Sequence, residues 1–334
     1  MTLTEPTVGG TLSLRAGQRV RLRPWSEIEA TLDAEGRTGK LPFMGEMLAL
    51  QGKVLTVDSR ADKTCDTINL TGTNRAMTNT VHLSGVRCDG SAHGGCQAYC
   101  LLWFREEWLE RAPANQDQGA TAPAAAADAP SQELVERLER FADNGPGYYR
   151  CQATHALEAS RPLLGRSHYL TDLRTRNVRL GVYVRFLSFW VLNKYQSVSK
   201  RVLPGFLRIR EGRHFPDVTG EVVDGNWPAG EALDLQPGEL VEMRSMPEIR
   251  ATLDHEQSNR GLWFDKEMAA LSGRRGRVLH RVTQLIDEKT GKMLKVKKDL
   301  YIVEGFVGCT GAFHQFCTRG VMAMVRDAWL RRVE

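Results

Sequence analysis

After Gly17, apolar and polar residues alternate in "VRLR" (20–23), and the same alternation follows Gly238 in "VEMR" (241–244). A period of two predicts a strand at each place. The residues that come next, "SEIEATLD" (26–33) and "PEIRATLD" (247–254), place apolar side chains at helical spacing behind a polar or proline start, which predicts a short helix or helical turn. Runs such as "GKVLTV" (52–57), "TVHLSGV" (80–86), "GRVLHRV" (276–282) and "LYIVEGFV" (300–307) predict further short strands. In "LLWFREEWLERA" (101–112) and "VMAMVRDAWLRRV" (321–333) the apolar positions recur at helical spacing, predicting an amphipathic helix at the end of each half. Between the halves, "ELVERLERFADN" (133–144) predicts one helix and "RTRNVRLGVYVRFLSFWVLNKYQSVSK" (174–200) a longer one.

The two halves look alike because the chain repeats itself. Residues 17–50 match residues 238–271 at a constant offset of 221, with identities that include Gly17/Gly238, Arg23/Arg244, Thr31/Thr252, Phe43/Phe264 and Glu46/Glu267. The same offset carries Cys88 onto Cys309, His93 onto His314, Cys96 onto Cys317 and Trp108 onto Trp329. About five short strands per half predict a small barrel of SH3-like type. The expected fold class is therefore α+β: two homologous β-rich SH3-like barrel modules with a helical insert between them. The boundaries expected are a flexible N-terminus (1–10), module one (11–111), an Ala/Pro/Gln-rich flexible linker (112–133), a basic helical insert (134–235) and module two (236–334).

Composition narrows the function classes. The chain has 334 residues, 42% hydrophobic and 25% charged, in the ordinary range for a folding chain and long enough for more than one core. The first residues show neither a signal-peptide pattern nor a lipidation motif, and "FLSFWVL" (186–192) is too short to cross a bilayer, so a cytoplasmic protein is expected. In a reducing compartment seven cysteines point to metal ligation or burial before disulfides.

Three of those cysteines fall in "RCDGSAHGGCQAYC" (87–100). Zinc takes thiolate and imidazole ligands in sets of four, and the glycine steps supply the backbone freedom to converge them. Cys88, His93 and Cys96 are candidate ligands, joined by Cys100 or by Cys65 from "RADKTC", with zinc expected and iron open. Module two keeps the spacing as Cys309, His314 and Cys317 while the residues between differ, but Cys65 aligns with Ile286 and Cys100 with Val321. With His280 as a further candidate, module two either holds a metal with an exchangeable position, as a catalytic zinc does, or has lost its site. Cys151 and His155, one helical turn apart, are weaker candidates. Packing of buried free thiols is the plain alternative, and the Cys96-x3-Cys100 spacing departs from redox Cys-x2-Cys motifs.

The stretch "RADKTC…NTVHLSGVRCDGSAHGGCQAYC" resembles the signature of a family of bacterial proteins without an assigned activity, and the two-module arrangement is similar. The strand pattern after Gly17 and Gly238 also resembles SH3-like barrels such as the nitrile hydratase β subunit. Neither resemblance transfers a catalytic residue.

Net charge is +5, but residues 161–213 hold twelve Arg or Lys against Asp172 and Glu211. Arg174, Arg176, Arg179, Arg185 and the aromatic Trp190 are candidates for contact with nucleic acid or another acidic partner. The opposing reading is a helix packed into a core by Phe186, Phe189 and Trp190, with arginines solvating its far side. Phosphate-loop, dinucleotide, nucleophile-elbow and His-Glu-x-x-His motifs are absent from the sequence. The expected function is a cytoplasmic zinc-binding tandem-module accessory or binding protein, with a metalloenzyme centred on module two as the alternative.

Overall fold

In the strand Arg19–Leu22 (β1), Val20 and Leu22 are buried and the two arginines half-buried, as the alternating pattern requires. The computed structural model describes residues 12–69, 73–113, 129–165, 167–213, 215–223, 227, 233–309 and 313–333. The expected flexible N-terminus and most of the 112–133 linker lie outside these residues.

β1 belongs to a five-stranded sheet with β2 (Leu55–Arg60), β3 (Thr80–Arg87), β4 (Leu101–Arg105) and β5 (Leu109–Arg111), in the order β4-β3-β2-β1-β5. Every pairing is antiparallel. Register shifts between Val57 and Ser59 and between His82 and Arg87 let the long β3 bend, as bulges do. A second sheet repeats this plan with β6 (Leu240–Met243), β7 (Arg275–Arg281), β8 (Tyr301–Val307), β9 (Met322–Val325) and β10 (Leu330–Arg332), in the order β9-β8-β7-β6-β10. Its register follows the offset of 221: Val20 faces Leu55 and Val241 faces Gly276, Val20 faces Arg111 and Val241 faces Arg332. The architecture is thus mixed, with antiparallel sheets and helices.

Each sheet closes on the same aromatic pair. Phe43 meets Trp108 edge-on with centroids 5.1 Å apart, and Phe264 meets Trp329 at 5.1 Å. Each indole N–H finds a threonine hydroxyl: Trp108 donates to Thr38 (2.8 Å) and Trp329 to Thr252 (3.0 Å).

The expected closing helices are strands. Leu101–Arg105 and Met322–Val325 are edge members of the two sheets, each followed by one 3-10 turn. All five residues of β4 are buried, so its apolar run is continuous instead of alternating and mimics helical spacing. Cys100, expected on the first turn of such a helix, precedes β4 as loop, its carbonyl accepting the Cys88 amide at 2.8 Å.

The helices of the insert form where expected, at Gln132–Ala142 and Leu180–Val202. Ser131 caps the first through its side chain, which accepts the Leu134 amide. The reading of the second as a core helix is corrected: only Gln196 and Ser199 on it are buried, and Trp190 is 52% exposed.

The chain divides into two compact units that cut across the sequence modules. The first comprises the described residues up to Asn177, with Gln284–Lys295 and Cys317–Gly320; the second comprises the remaining described residues from Val178 onward. The hairpin Gln284–Ile286/Met293–Lys295, from the second repeat, therefore belongs to the unit that holds the first sheet.

Candidate metal centre

The turn that follows β3 brings the site together. The His93 and Gly95 amides both donate to the Gly90 carbonyl, at 3.1 and 2.9 Å. Gly90 has φ +78°, and a Cβ there would lie 2.1 Å from the Cys96 carbonyl oxygen. No other residue fits without opening the turn. Gly90→Ala is expected to destabilise the first unit by about 2 kcal/mol or more and to disperse the site. Denaturant unfolding together with a metal titration checks this; an unchanged midpoint with unchanged metal uptake contradicts it.

The second-repeat hairpin fixes the turn from the other side. Gln284 Nε2 donates to the Gly94 and Gly95 carbonyls (both 2.9 Å), the Gln97 amide donates to the Gln284 carbonyl (3.1 Å), and the Ile286 amide donates to Cys96 Sγ (3.4 Å).

Within this frame Glu46, Cys88 and His93 converge, each offering one ligand atom within 4.8 Å of the other two. Cys88 Sγ stands 3.3 Å from His93 Nε2 and 3.7 Å from Glu46 Oε1. Tetrahedral zinc with bonds of about 2.0–2.3 Å separates such ligand atoms by about 3.3–3.8 Å. Glu46 comes from the 3-10 turn Gly45–Leu50, and its Oε1 also accepts the Ala92 amide at 3.4 Å. All three side chains are buried.

Two polar atoms at the site are unsatisfied. Glu46 Oε2 has no hydrogen-bond partner, and His93 Nδ1, although 2.9 Å from Glu46 Oε1, is not aligned for a hydrogen bond. A buried carboxylate left in this state is costly without a cation, so the donor set fits a metal ion. Burial works against a charged His93 ring, but the close approach and negative charge of Cys96 and Glu46 raise it to about 9. Burial likewise pushes the Cys96 thiol up, yet the His93 hydrogen bond and the Ala98 and Ile286 amides outweigh it and bring the thiol below its ordinary value. The Cys88 thiol is pushed far up by burial, reinforced by the neighbouring Cys100, Glu46 and Cys151.

The remaining candidates are distributed as follows. Cys100 and Cys151 line the same small pocket as Cys88, His93 and Cys96, and burial raises both thiols to about 12. Neither belongs to the Glu46/Cys88/His93 group. Cys65 sits on the two-residue strand Thr64–Cys65, away from that group, where its amide donates to Cys317 Sγ at 3.1 Å. His155 Nδ1 lies 3.0 Å from Thr154 Oγ1, and its ring packs on Phe141 at 5.1 Å. All seven cysteines are free thiols.

In the second unit the equivalent residues part company. His314 Nε2 is 2.7 Å from Asp265 Oδ2, while Glu267, the partner of Glu46 in the repeat, accepts the Phe313 and His314 amides (2.6 and 3.2 Å). Cys309 Sγ accepts the Val321 amide at 3.1 Å, and His280 lies in β7 opposite Ile302. No group of potential ligands among the described residues holds both Cys309 and His314. The Cys309/His314/Cys317 set expected there does not assemble among the described residues, because His314 pairs with Asp265.

Sequence reasoning missed Glu46. Its signal is the Glu46/Glu267 identity inside the repeat, which lies outside the thiol and imidazole pattern of the glycine turn.

Comparison with family models, curated proteins and solved structures finds no match. The function therefore rests on the site alone. The basic candidates fall in both units: Arg174 ends the helix His168–Arg174 and Arg176 has φ +61° in the first, while Arg179 caps the long helix in the second. On that helix Arg185 stacks over Phe189 at 5.4 Å and Lys194 lies 5.9 Å over Trp190. Among the described residues no helix is long and apolar enough to cross a membrane.

His82, on the strand that leads into the site, is a separate buried titratable group. Its Nδ1 is 3.0 Å from the Leu102 carbonyl and Nε2 has no partner, and burial lowers it from 6.5 to about 4. On acidification the unfolded chain takes the proton first. The stabilisation from the neutral ring is complete above about 6.5 and lost as pH falls toward about 4, roughly 3 kcal/mol in all. Urea midpoints measured from pH 7 to 4 are expected to fall more steeply in the native chain than in His82→Gln; parallel profiles contradict this.

Proposed function

We propose that the chain is a zinc-binding, tandem-module accessory protein of the bacterial cytoplasm, whose metal is held by Cys88, His93 and Glu46 with Cys96 as the fourth ligand. The modules are read as SH3-like barrels, a reading supported by the matching five-strand order of the two sheets. The observation that carries the metal assignment is the buried convergence of Glu46, Cys88 and His93 with Glu46 Oε2 and His93 Nδ1 left without hydrogen bonds. Bound there, zinc would supply folding energy by tying the glycine turn to the Gly45–Leu50 turn. Free thiols throughout suit a reducing compartment.

The order Cys88, His93, Glu46 is also that of a nucleophile, a base and an orienting carboxylate. Burial argues against it: Cys88 is 7% exposed with its thiol pushed up, the reverse of an activated nucleophile, and the His93 to Glu46 contact lacks hydrogen-bond alignment. A module-two metalloenzyme has less support, since Asp265 occupies His314.

Metal analysis of the purified chain by mass spectrometry tests the proposal. The expected result is one zinc per Glu46/Cys88/His93 site, lost in Cys88→Ser and in His93→Gln and kept in His280→Gln. Unchanged metal content in the first two variants would remove the reading.

A further inference from the structure

From Val178 to Ile209 the sequence holds six basic residues and no acidic one, and most of that stretch is the helix Leu180–Val202. One side of this helix is accounted for within its own unit. Tyr183 and Phe186 pack on Phe316 with centroids 5.8 and 5.0 Å apart, and Phe189 packs on Phe313 at 5.8 Å. Asn193 exchanges hydrogen bonds with the Phe215 backbone (3.0 and 2.8 Å), and Gln196 donates to the Ile209 carbonyl (2.8 Å).

The opposite side is an aliphatic ridge in water. At 3.6 residues per turn Leu180, Val184, Leu187, Val191, Val198 and Val202 fall within about 60° of the helix circumference, opposite Phe189 and Asn193. Their exposures run from 43% at Leu187 to 73% at Val202. The same spacing puts Lys194 and Arg201 along one flank of the ridge and Arg185 along the other, all three exposed. Trp190, 52% exposed, shares the flank of Lys194, whose ammonium lies 5.9 Å over its ring.

We propose that this ridge docks on an anionic lipid bilayer. The helix lies flat in the headgroup layer, with the six aliphatic side chains against the acyl chains. Charge selects the occupant. Cations on both flanks meet lipid phosphates and carboxylates while their methylene stems follow the apolar surface. Trp190 and Tyr195 bring amphipathic rings to the same level, where such rings partition best. A helix with four cations lies on a bilayer and does not cross it.

Other occupants fit the same surface less well. A second copy would bring cations against cations. Nucleic acid would meet the cations but leave the ridge in water, since six aliphatic side chains offer no donor or acceptor to a base. A folded acidic protein needs a groove matched to a convex ridge, whereas a fluid bilayer moulds itself to it.

The test uses the full chain and lipid vesicles. Co-sedimentation is expected to show about 10-fold or more tighter binding to vesicles with about one-third phosphatidylserine than to pure phosphatidylcholine, weakening as salt rises to about 0.5 M. Val191→Glu/Val198→Glu, which sets carboxylates in the ridge, is expected to weaken binding about 10-fold or more with unchanged circular dichroism. Arg185→Glu/Lys194→Glu is expected to weaken binding to the serine lipid and to leave the weak binding to phosphatidylcholine unchanged. In the native chain, brominated acyl chains are expected to quench a part of the tryptophan fluorescence that Trp190→Phe lacks. A chain that ignores phosphatidylserine vesicles overturns the proposal, whether it binds nucleic acid, an acidic protein or its own copy instead. So does vesicle binding indifferent to Val191→Glu/Val198→Glu, or quenching that is the same in Trp190→Phe.

Discussion

Adding zinc to chelator-stripped protein is expected to stabilise the first unit by about 4 kcal/mol when free zinc stands about 1,000-fold above its dissociation constant. The size follows from linkage: Glu46, Cys88 and His93 converge only in the folded chain, so binding free energy becomes folding free energy. Without the ion, a buried carboxylate oxygen and an imidazole nitrogen stay unsatisfied. The variants that matter are Cys88→Ser and His93→Gln, which should abolish the zinc-induced shift, and Glu46→Gln, which should weaken zinc affinity about 10-fold or more. His280→Gln should leave the shift intact, since His280 belongs to no group of potential ligands among the described residues. Denaturant titrations with and without zinc supply the measurement. Equal stabilisation in Cys88→Ser would show that the ion binds elsewhere.

The second large effect concerns Lys63 and Asp172, an ion pair with both side chains fully buried. Asp172 Oδ1 has no partner, and the Lys63 ammonium lies 4.5 Å over the Tyr169 ring. Burial lowers Lys63 despite Asp172, and burial raises Asp172 to about 6 despite Lys63. In both groups desolvation outweighs attraction. The sign for Asp172 follows: the folded chain holds its proton more tightly than the unfolded one, so its contribution favours folding below about 3.8 and is lost as pH rises through about 6. Removing one partner strands a buried charge, and Asp172→Leu or Lys63→Met alone is expected to cost about 3–5 kcal/mol. The double variant Lys63→Met/Asp172→Leu is expected to be neutral or more stable by about 1–4 kcal/mol. A double-mutant cycle on unfolding free energies decides it; additive losses would show that the charges themselves hold the fold.

Much of this structure was legible in the sequence, and the failures have physical causes. The repeat predicted two sheets of equal register because identical residues at a fixed offset, such as Gly17/Gly238 and Phe43/Phe264, occupy identical places in the strand and turn pattern. The closing segments were misread because β4 is buried on both faces, leaving no alternation to mark a strand. The long helix was legible as a helix, but nothing in its composition told apolar side chains left in solvent from a face packed in a core.

At the site, the glycine turn and its Cys88/His93 pair were visible as spacing, whereas the hairpin from Gln284 that braces it was not. Its contacts join residues about 190 positions apart, and no local pattern encodes them. The two copies also diverge where the sequence kept them alike. His93 meets a thiol and a carboxylate, while His314 meets Asp265, which has no aspartate at the matching position in module one.

Zinc K-edge X-ray absorption on the loaded protein addresses the coordination sphere itself. The account predicts a four-coordinate ion with sulfur at about 2.3 Å and nitrogen and oxygen at about 2.0–2.2 Å, and one fewer sulfur in Cys88→Ser. A sphere of oxygen and nitrogen alone, or a sulfur count that survives the loss of Cys88, would contradict it.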